Sequence, residues 1–241
     1  MYKIKKEDLT ALFRAIAAEQ ELYVPVKTAG KVNFGPWSED AEVDIDTLKS
    51  VKSPKDVFFP QSENLYTCER EGRKLKVEPE ALKEQRFTVF GMRACDVQGV
   101  KVLDQVFLAD PVDSFYAARR EHGTMVAIAC HEPEESCFCK VFGIDCAEPA
   151  ADVAAWFAGE ELYWKALTEK GQTLTEILSG LLTDADSEDE KKLSEEQTAI
   201  RAIVEKLPYS HLSLKGWDGN ATETRFDSPL WEELYKPCLA C

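Results

Sequence analysis

No stretch of about 18 consecutive apolar residues occurs in the 241-residue chain, so no transmembrane helix is expected. The N-terminus, Met1-Tyr2-Lys3-Ile4-Lys5-Lys6-Glu7-Asp8, lacks the apolar core of a secretory signal, and the expected location is the cytoplasm. Positive charge is in short supply. The chain has 29 Lys and Arg against 44 Asp and Glu, a net charge of −15. That balance argues against nucleic acid and anionic membranes as partners, because both attract basic surfaces. Histidine is scarce: His122, His131 and His211 are too scattered to argue a catalytic dyad. No internal repeat is visible.

What the chain does have is cysteine, eight residues unevenly spread. Reducing conditions in the cytosol make metal binding or redox chemistry a better reading of clustered thiols than disulfides. Cys68 and Cys95 stand alone, four thiols lie between Cys130 and Cys146, and Cys238 and Cys241 end the chain. The central group reads C-x6-C-x-C-x6-C. It follows the apolar run Met125-Val126-Ala127-Ile128-Ala129, so it sits in a loop at the end of a buried strand, where sites on a rigid scaffold usually lie.

Periodicity outlines an α/β protein with a mixed sheet and flanking helices. Leu9, Leu12, Phe13 and Ile16 predict an amphipathic helix over residues 7–19. Strands follow at 21–26 and around Val32 and Phe34, then an acidic surface loop at 39–46. A short helix begins at Ser53-Pro54, and a hairpin turns at Glu71-Gly72, with Cys68 expected as a small buried residue of its first strand. Phe87-Thr88-Val89-Phe90-Gly91 reads as a buried strand. Val97, Val100, Leu103 and Phe107 predict a helix behind it, capped by Asp96, and residues 113–121 predict another. Strands are expected at 154–158 and 162–167, a turn at 168–171, and a charged, breaker-like boundary at 184–192. A helix from about 194 to 207 and a short one at 229–235 complete the pattern. Residues 1–183 would form the α/β domain, and 184–241 a helical segment leading toward a ferredoxin-like module.

The strand–helix–helix–strand order predicts parallel neighbours, with Cys95 and Cys130 leaving the same sheet edge. Cys95 lies at a strand-to-helix turn, a setting expected to lower its thiol pKa. Soft thiolates suit iron, and a cubane held by cysteine alone needs four of them. Cys130, Cys137 and Cys139 would supply three and Cys95 the fourth. Cys146 completes the symmetric spacing and could stand in for Cys95; otherwise it is a small buried residue. Two other chemistries compete. One is a zinc-stabilised interaction module, although zinc sites usually show paired C-x2–4-C knuckles that 130–146 lacks. The other is a thiol oxidoreductase using Cys95 or the terminal C-x2-C pair. Arg93 could offset a cluster's negative charge or make a weak surface ion pair.

Several segments carry a family resemblance. Phe90-Gly91-Met92-Arg93-Ala94-Cys95-Asp96, Arg119-Arg120-Glu121, Cys130…Pro133…Cys137-Phe138-Cys139 and the stretch from Pro54 to Glu63 resemble one family of redox proteins. It comprises the beta subunit of cytosolic nickel–iron hydrogenases and the related iron–sulfur subunit of anaerobic sulfite reductase. The likeness covers nearly the whole chain. Lys236-Pro237-Cys238-Leu239-Ala240-Cys241 resembles the opening of that family's dicluster ferredoxin module, so the chain reads as a piece of a longer protein, with Cys238 and Cys241 as ligands of further clusters. The resemblance implies one [4Fe-4S] cluster on Cys95, Cys130, Cys137 and Cys139. It also implies an electron-transfer role in an anaerobic oxidoreductase complex, relaying electrons between a catalytic partner and a flavin-containing, nicotinamide-linked subunit. Ala94 stands where the family often has proline, and Cys146 where no cysteine is expected.

Overall fold

A computed structural model describes residues 1–216, 220, 223 and 225–237. Eight strands build its central sheet: β1 (Tyr2–Lys5), β2 (Glu21–Thr28), β3 (Lys31–Pro36), β6 (Phe87–Met92), β7 (Gly123–Ile128), β8 (Val153–Ala158), β9 (Glu161–Ala166) and β10 (Thr183–Asp184). They lie in the order β10-β1-β9-β8-β7-β6-β2-β3. The inner four, β2, β6, β7 and β8, pair in parallel, and the outer pairings are antiparallel. β6 and β7 are buried along their whole length, which explains their unbroken apolar sequence. β4 (Tyr66–Glu71) and β5 (Lys74–Pro79) form a separate hairpin that is exposed throughout. Cys68 is therefore in a strand, as expected, but on the surface rather than buried.

Helices cover both faces. On one, α1 (Leu9–Glu19) and α4 (Glu169–Ile177) pack Leu12, Phe13, Ile16 and Leu174 against Phe90, Val126 and Ile128. On the other, α2 (Ala94–Phe107) and α3 (Ser114–His122) pack Val97, Val100 and Tyr116 against Val89, Met92 and Met125. Phe90 and Met92 are two residues apart and should share a face. They do not, because the β6–β7 register shifts between them and Gly91 is the extra residue. Gly91 has φ +98°, a left-handed conformation, and a Cβ there would meet Pro25 Cδ at 3.1 Å. The bulge thereby re-aims the strand end that leads into Arg93 and Cys95.

Two expectations are corrected after β9. Residues 168–171 are not a turn: Thr168 caps α4, its hydroxyl accepting from the Gly171 N–H at 3.3 Å. Gly171 lies in the first turn of α4, and the position demands glycine because a Cβ there would sit 2.1 Å from the Asp152 carbonyl oxygen. The charged run after 184 is not a breaker either. It opens α5 (Ser187–Val204), seven residues before the expected start at 194. The Asp186 carboxylate accepts from the N–H groups of Glu188 and Asp189, and Asp189 reaches back to the Asp186 N–H. Glu188, Asp189 and Glu190 fill the first turn, where negative charge is favoured. A short α6 (Trp231–Leu234) lies within the expected 229–235.

Asp189 also fixes α5 to the sheet. It pairs with Lys3 at 2.7 Å and accepts from the Tyr163 hydroxyl at 2.8 Å. The Lys3 bond, then the Asp186 N–H, hold its carboxyl down at about 2. A depressed carboxyl contributes stability that is complete above the ordinary carboxylate range and is lost as pH falls toward 2. Asp189→Asn should therefore melt earlier than the parent at neutral pH, and the two melting curves should converge on acidification toward pH 2, measured by circular dichroism. Gly91→Ala should lower stability by about 1–3 kcal/mol through the left-handed backbone, read as a lower urea midpoint at unchanged slope.

Candidate functional site at the end of the parallel strands

The parallel pairing of β6 and β7 brings their C-terminal ends to one edge, as the strand order predicts. β6 runs through Met92 into α2, whose first turn carries Cys95, and β7 runs through Ala129 into Cys130. Asp96 is not the helix cap. It sits one turn inside, where its carboxylate accepts from the Arg93 N–H at 3.0 Å and from the Ser53 hydroxyl at 3.0 Å.

Five thiols meet at this edge. Cys130 and Cys146 are buried, Cys137 and Cys139 are half-buried, and Cys95 opens into a cavity of about 180 Å³ that Arg93, Asp96 and Lys49 also line. Cys130 and Cys146 are joined through the main chain, the Cys130 N–H donating to the Cys146 carbonyl at 3.0 Å. Together with Ala147 and Ile200 they form a small apolar cluster against which Leu48, Cys139 and Val204 pack. The Cys95 thiol contacts Cys139, and the Cys130 thiol contacts Cys146.

These contacts set the proton balance. Cys95 is pushed up by its hydrogen bond to Cys139, then by burial and the Asp96 charge, which corrects the lowered pKa expected at a helix start. Cys130 is pushed up by Cys146 and burial, with Arg93 pulling the other way. Cys139 and Cys146, the accepting partners, are pulled down. Within each pair the two thiols shift in opposite directions. The Asp96 N–H faces the Cys95 sulfur and works against its rise. Donors of this kind stabilise negative sulfur.

Arg93 is 4% exposed, so it is not a surface ion pair. Its guanidinium donates to the carbonyls of Ile45 at 2.9 Å, Thr47 at 3.2 Å and Ala129 at 3.4 Å. The acidic loop at 39–46 thus supplies part of the site wall, a role nothing in its composition signals. Lys49 bridges Glu134 and Ser136, each at 2.7 Å, and ties the same wall to the cysteine loop. From the other side Arg201 on α5 binds Asp145 at 2.6 Å and Glu148 at 3.3 Å, and Lys140 pairs with Glu205. His131 is an exposed loop residue beside the thiols.

Among the described residues, no three His, Cys, Asp or Glu side chains are arranged to hold a single metal ion. Cys95 lines one cavity, Cys130 a second and Cys146 a third, so the structure presents a thiol-rich edge and not a closed metal site. Cys238 and Cys241 lie outside the described residues. Among the described residues no helix is long and apolar enough to cross a membrane.

The fold and the pocket define an α/β protein with a thiol-rich edge beside a buried arginine. Over 240 residues the chain is similar, at 24% identity, to the sulfhydrogenase 2 subunit beta of Pyrococcus furiosus, covering 99% of this chain and 68% of that protein. That similarity spans nearly the whole sequence, and the relative is a hydrogenase beta subunit. No protein-family model matches the chain.

Arg93→Ala would leave three main-chain carbonyls facing a hole. At about 1–3 kcal/mol for each unsatisfied buried group, the variant should lose about 3 kcal/mol or more. Arg93→Lys keeps the charge but not the planar fork, and should recover only part of the loss. Urea unfolding of the two variants checks both.

Proposed function

We propose that this protein is an iron–sulfur electron-transfer subunit of a cytoplasmic, hydrogenase-type redox complex. In it the chain passes electrons between a catalytic partner and a flavin-containing, nicotinamide-linked subunit. The observation that carries the reading is the gathering of thiols against a buried guanidinium whose hydrogen-bond partners are carbonyls. A charge buried that way is costly unless something negative compensates it. Asp96 is close and offsets part of that charge. A thiolate-held cluster is an anion, and the donor set is soft sulfur suited to iron. The similarity to a sulfhydrogenase beta subunit supports the same class.

A [4Fe-4S] cluster carries one electron at a time. In this reading Cys95, Cys130 and Cys139 hold it, with a fourth thiolate from Cys137 or Cys146. Arg93 and the Asp96 N–H would favour the reduced, more negative form and so raise the potential. Cys238 and Cys241 would serve further clusters in a ferredoxin-like module. A thiol-oxidoreductase role for Cys95 is poorly supported, since its thiol is hydrogen-bonded and pushed up rather than poised as a thiolate.

Anaerobic purification, iron and acid-labile sulfide assays, and electron paramagnetic resonance after dithionite reduction test the reading. Roughly four irons and four sulfides per cluster, with a reduced-cluster signal, are expected. Stoichiometric zinc without labile sulfide would make the site a structural module instead.

A further inference from the structure

Two cations stand at the thiol edge, and they are built differently. Arg93 is buried, and its three carbonyl bonds make it part of the fold. Lys49 is half-exposed, and among the described residues its side chain bonds only to Glu134 and Ser136 of the cysteine loop.

The chain on either side of Lys49 fixes its place. The Thr47 carbonyl accepts from Arg93 at 3.2 Å. Leu48 packs against the apolar cluster of Cys130, Cys146, Ala147 and Ile200. These contacts carry Lys49 to the wall of the cavity that Cys95 also lines. There its amine meets the Glu134 carboxylate and the Ser136 hydroxyl, each at 2.7 Å. Ser136 is the residue before Cys137, and the Cys137 N–H donates to the Glu134 carbonyl at 2.9 Å. The amine is thus held beside both Cys95 and Cys137. Its bond to Glu134 is the first cause that keeps it above the ordinary lysine range, and the Cys137 and Cys95 sulfurs add to that effect. Arg93 acts from the inner side, on Cys130.

We propose that Lys49 tunes the reduction potential at this edge, its charge acting on the sulfurs of Cys95 and Cys137 from the solvent side. The inference rests on the iron–sulfur reading, in which Cys95 is a ligand and Cys137 a candidate for the fourth. Reduction adds one electron, and a nearby cation favours the more negative state. Glu134 works against the amine, because its carboxylate cancels part of the same charge. A mere brace would behave otherwise: removing either partner of the ion pair would loosen the loop in the same way. As charges, the two must act with opposite sign.

The test is a redox titration of the full chain, loaded anaerobically with iron and sulfide and followed by electron paramagnetic resonance. Iron and sulfide contents equal to the parent's show that each variant holds the same group. Lys49→Met should lower the midpoint potential, Lys49→Arg should restore most of it, and Glu134→Gln should raise it. The gap between the parent and Lys49→Met should narrow as salt is added, since a half-exposed charge is screened. Shifts of Lys49→Met and Glu134→Gln in the same direction, or a Lys49→Met potential equal to the parent's, would overturn the proposal and leave the iron–sulfur reading intact. Should Lys49→Met fail to load, Glu134→Gln decides, because it keeps the lysine: a raised potential supports the proposal, and an unchanged or lowered one overturns it. A parent chain that takes up no iron and sulfide would overturn the proposal and the reading together.

Discussion

A guanidinium sealed from water among main-chain carbonyls is the constraint on which this edge of the molecule depends. Arg93 joins three segments far apart in sequence: the loop through Ile45 and Thr47, the exit of β7 at Ala129, and the start of α2. Each carbonyl would otherwise be a buried acceptor without a partner, and each contact would otherwise leave a cation stranded. The arrangement fixes where the chain leaves β6 and β7, and therefore where Cys95 and Cys130 begin. It also places a permanent positive charge beside Cys130.

The backbone prepares that position before any side chain contributes. Parallel strands deliver both exits to one edge, but an unbulged β6 would send Met92 to the α1 side of the sheet. The extra residue at Gly91 reverses the parity, so Met92 packs opposite Ala127 on the α2 face and the chain enters α2 with Arg93 turned inward. Glycine is demanded there both by φ and by the closeness of Pro25. The far side of the pocket is held by ion pairs instead. α5 and the residue after it grip the cysteine loop through Arg201 and Glu205, while its first turn is pinned to the sheet by Asp189. The face of the site is thus set by buried polar bonds, and its outer wall by exposed charges that salt can weaken.

Much of this was legible in the sequence because it follows from local pattern. The unbroken apolar runs at 87–91 and 125–129 betray strands buried on both faces, and the strand–helix–helix–strand order is enough to bring Cys95 beside Cys130. What stayed hidden depends on partners remote in the chain. Gly171 looks like a turn residue until the Asp152 carbonyl is placed against it. The acidic start of α5 looks like a breaker because its carboxylates are counted as charge, whereas in the fold they cap a helix and bind Lys3. Cys68 sits in a strand whose hairpin has no sheet to cover it. The spacing flagged Cys146, but only the fold shows that its carbonyl receives the Cys130 N–H and closes the cysteine loop.

The two thiol pairs explain why such a pocket would be incomplete on its own. Neighbouring thiols resist joint ionisation, since each thiolate raises its neighbour. In the proposed role these cysteines would hold the cluster as thiolates, so loading would release protons and be tied to pH. The fold supplies rigid anchors for two of the sulfurs, at the first turn of α2 and just beyond β7. The other two, Cys139 and Cys146, lie in a loop braced mainly by surface ion pairs. The edge is thus fixed on one side by buried bonds and held on the other by exposed ion pairs that salt can loosen.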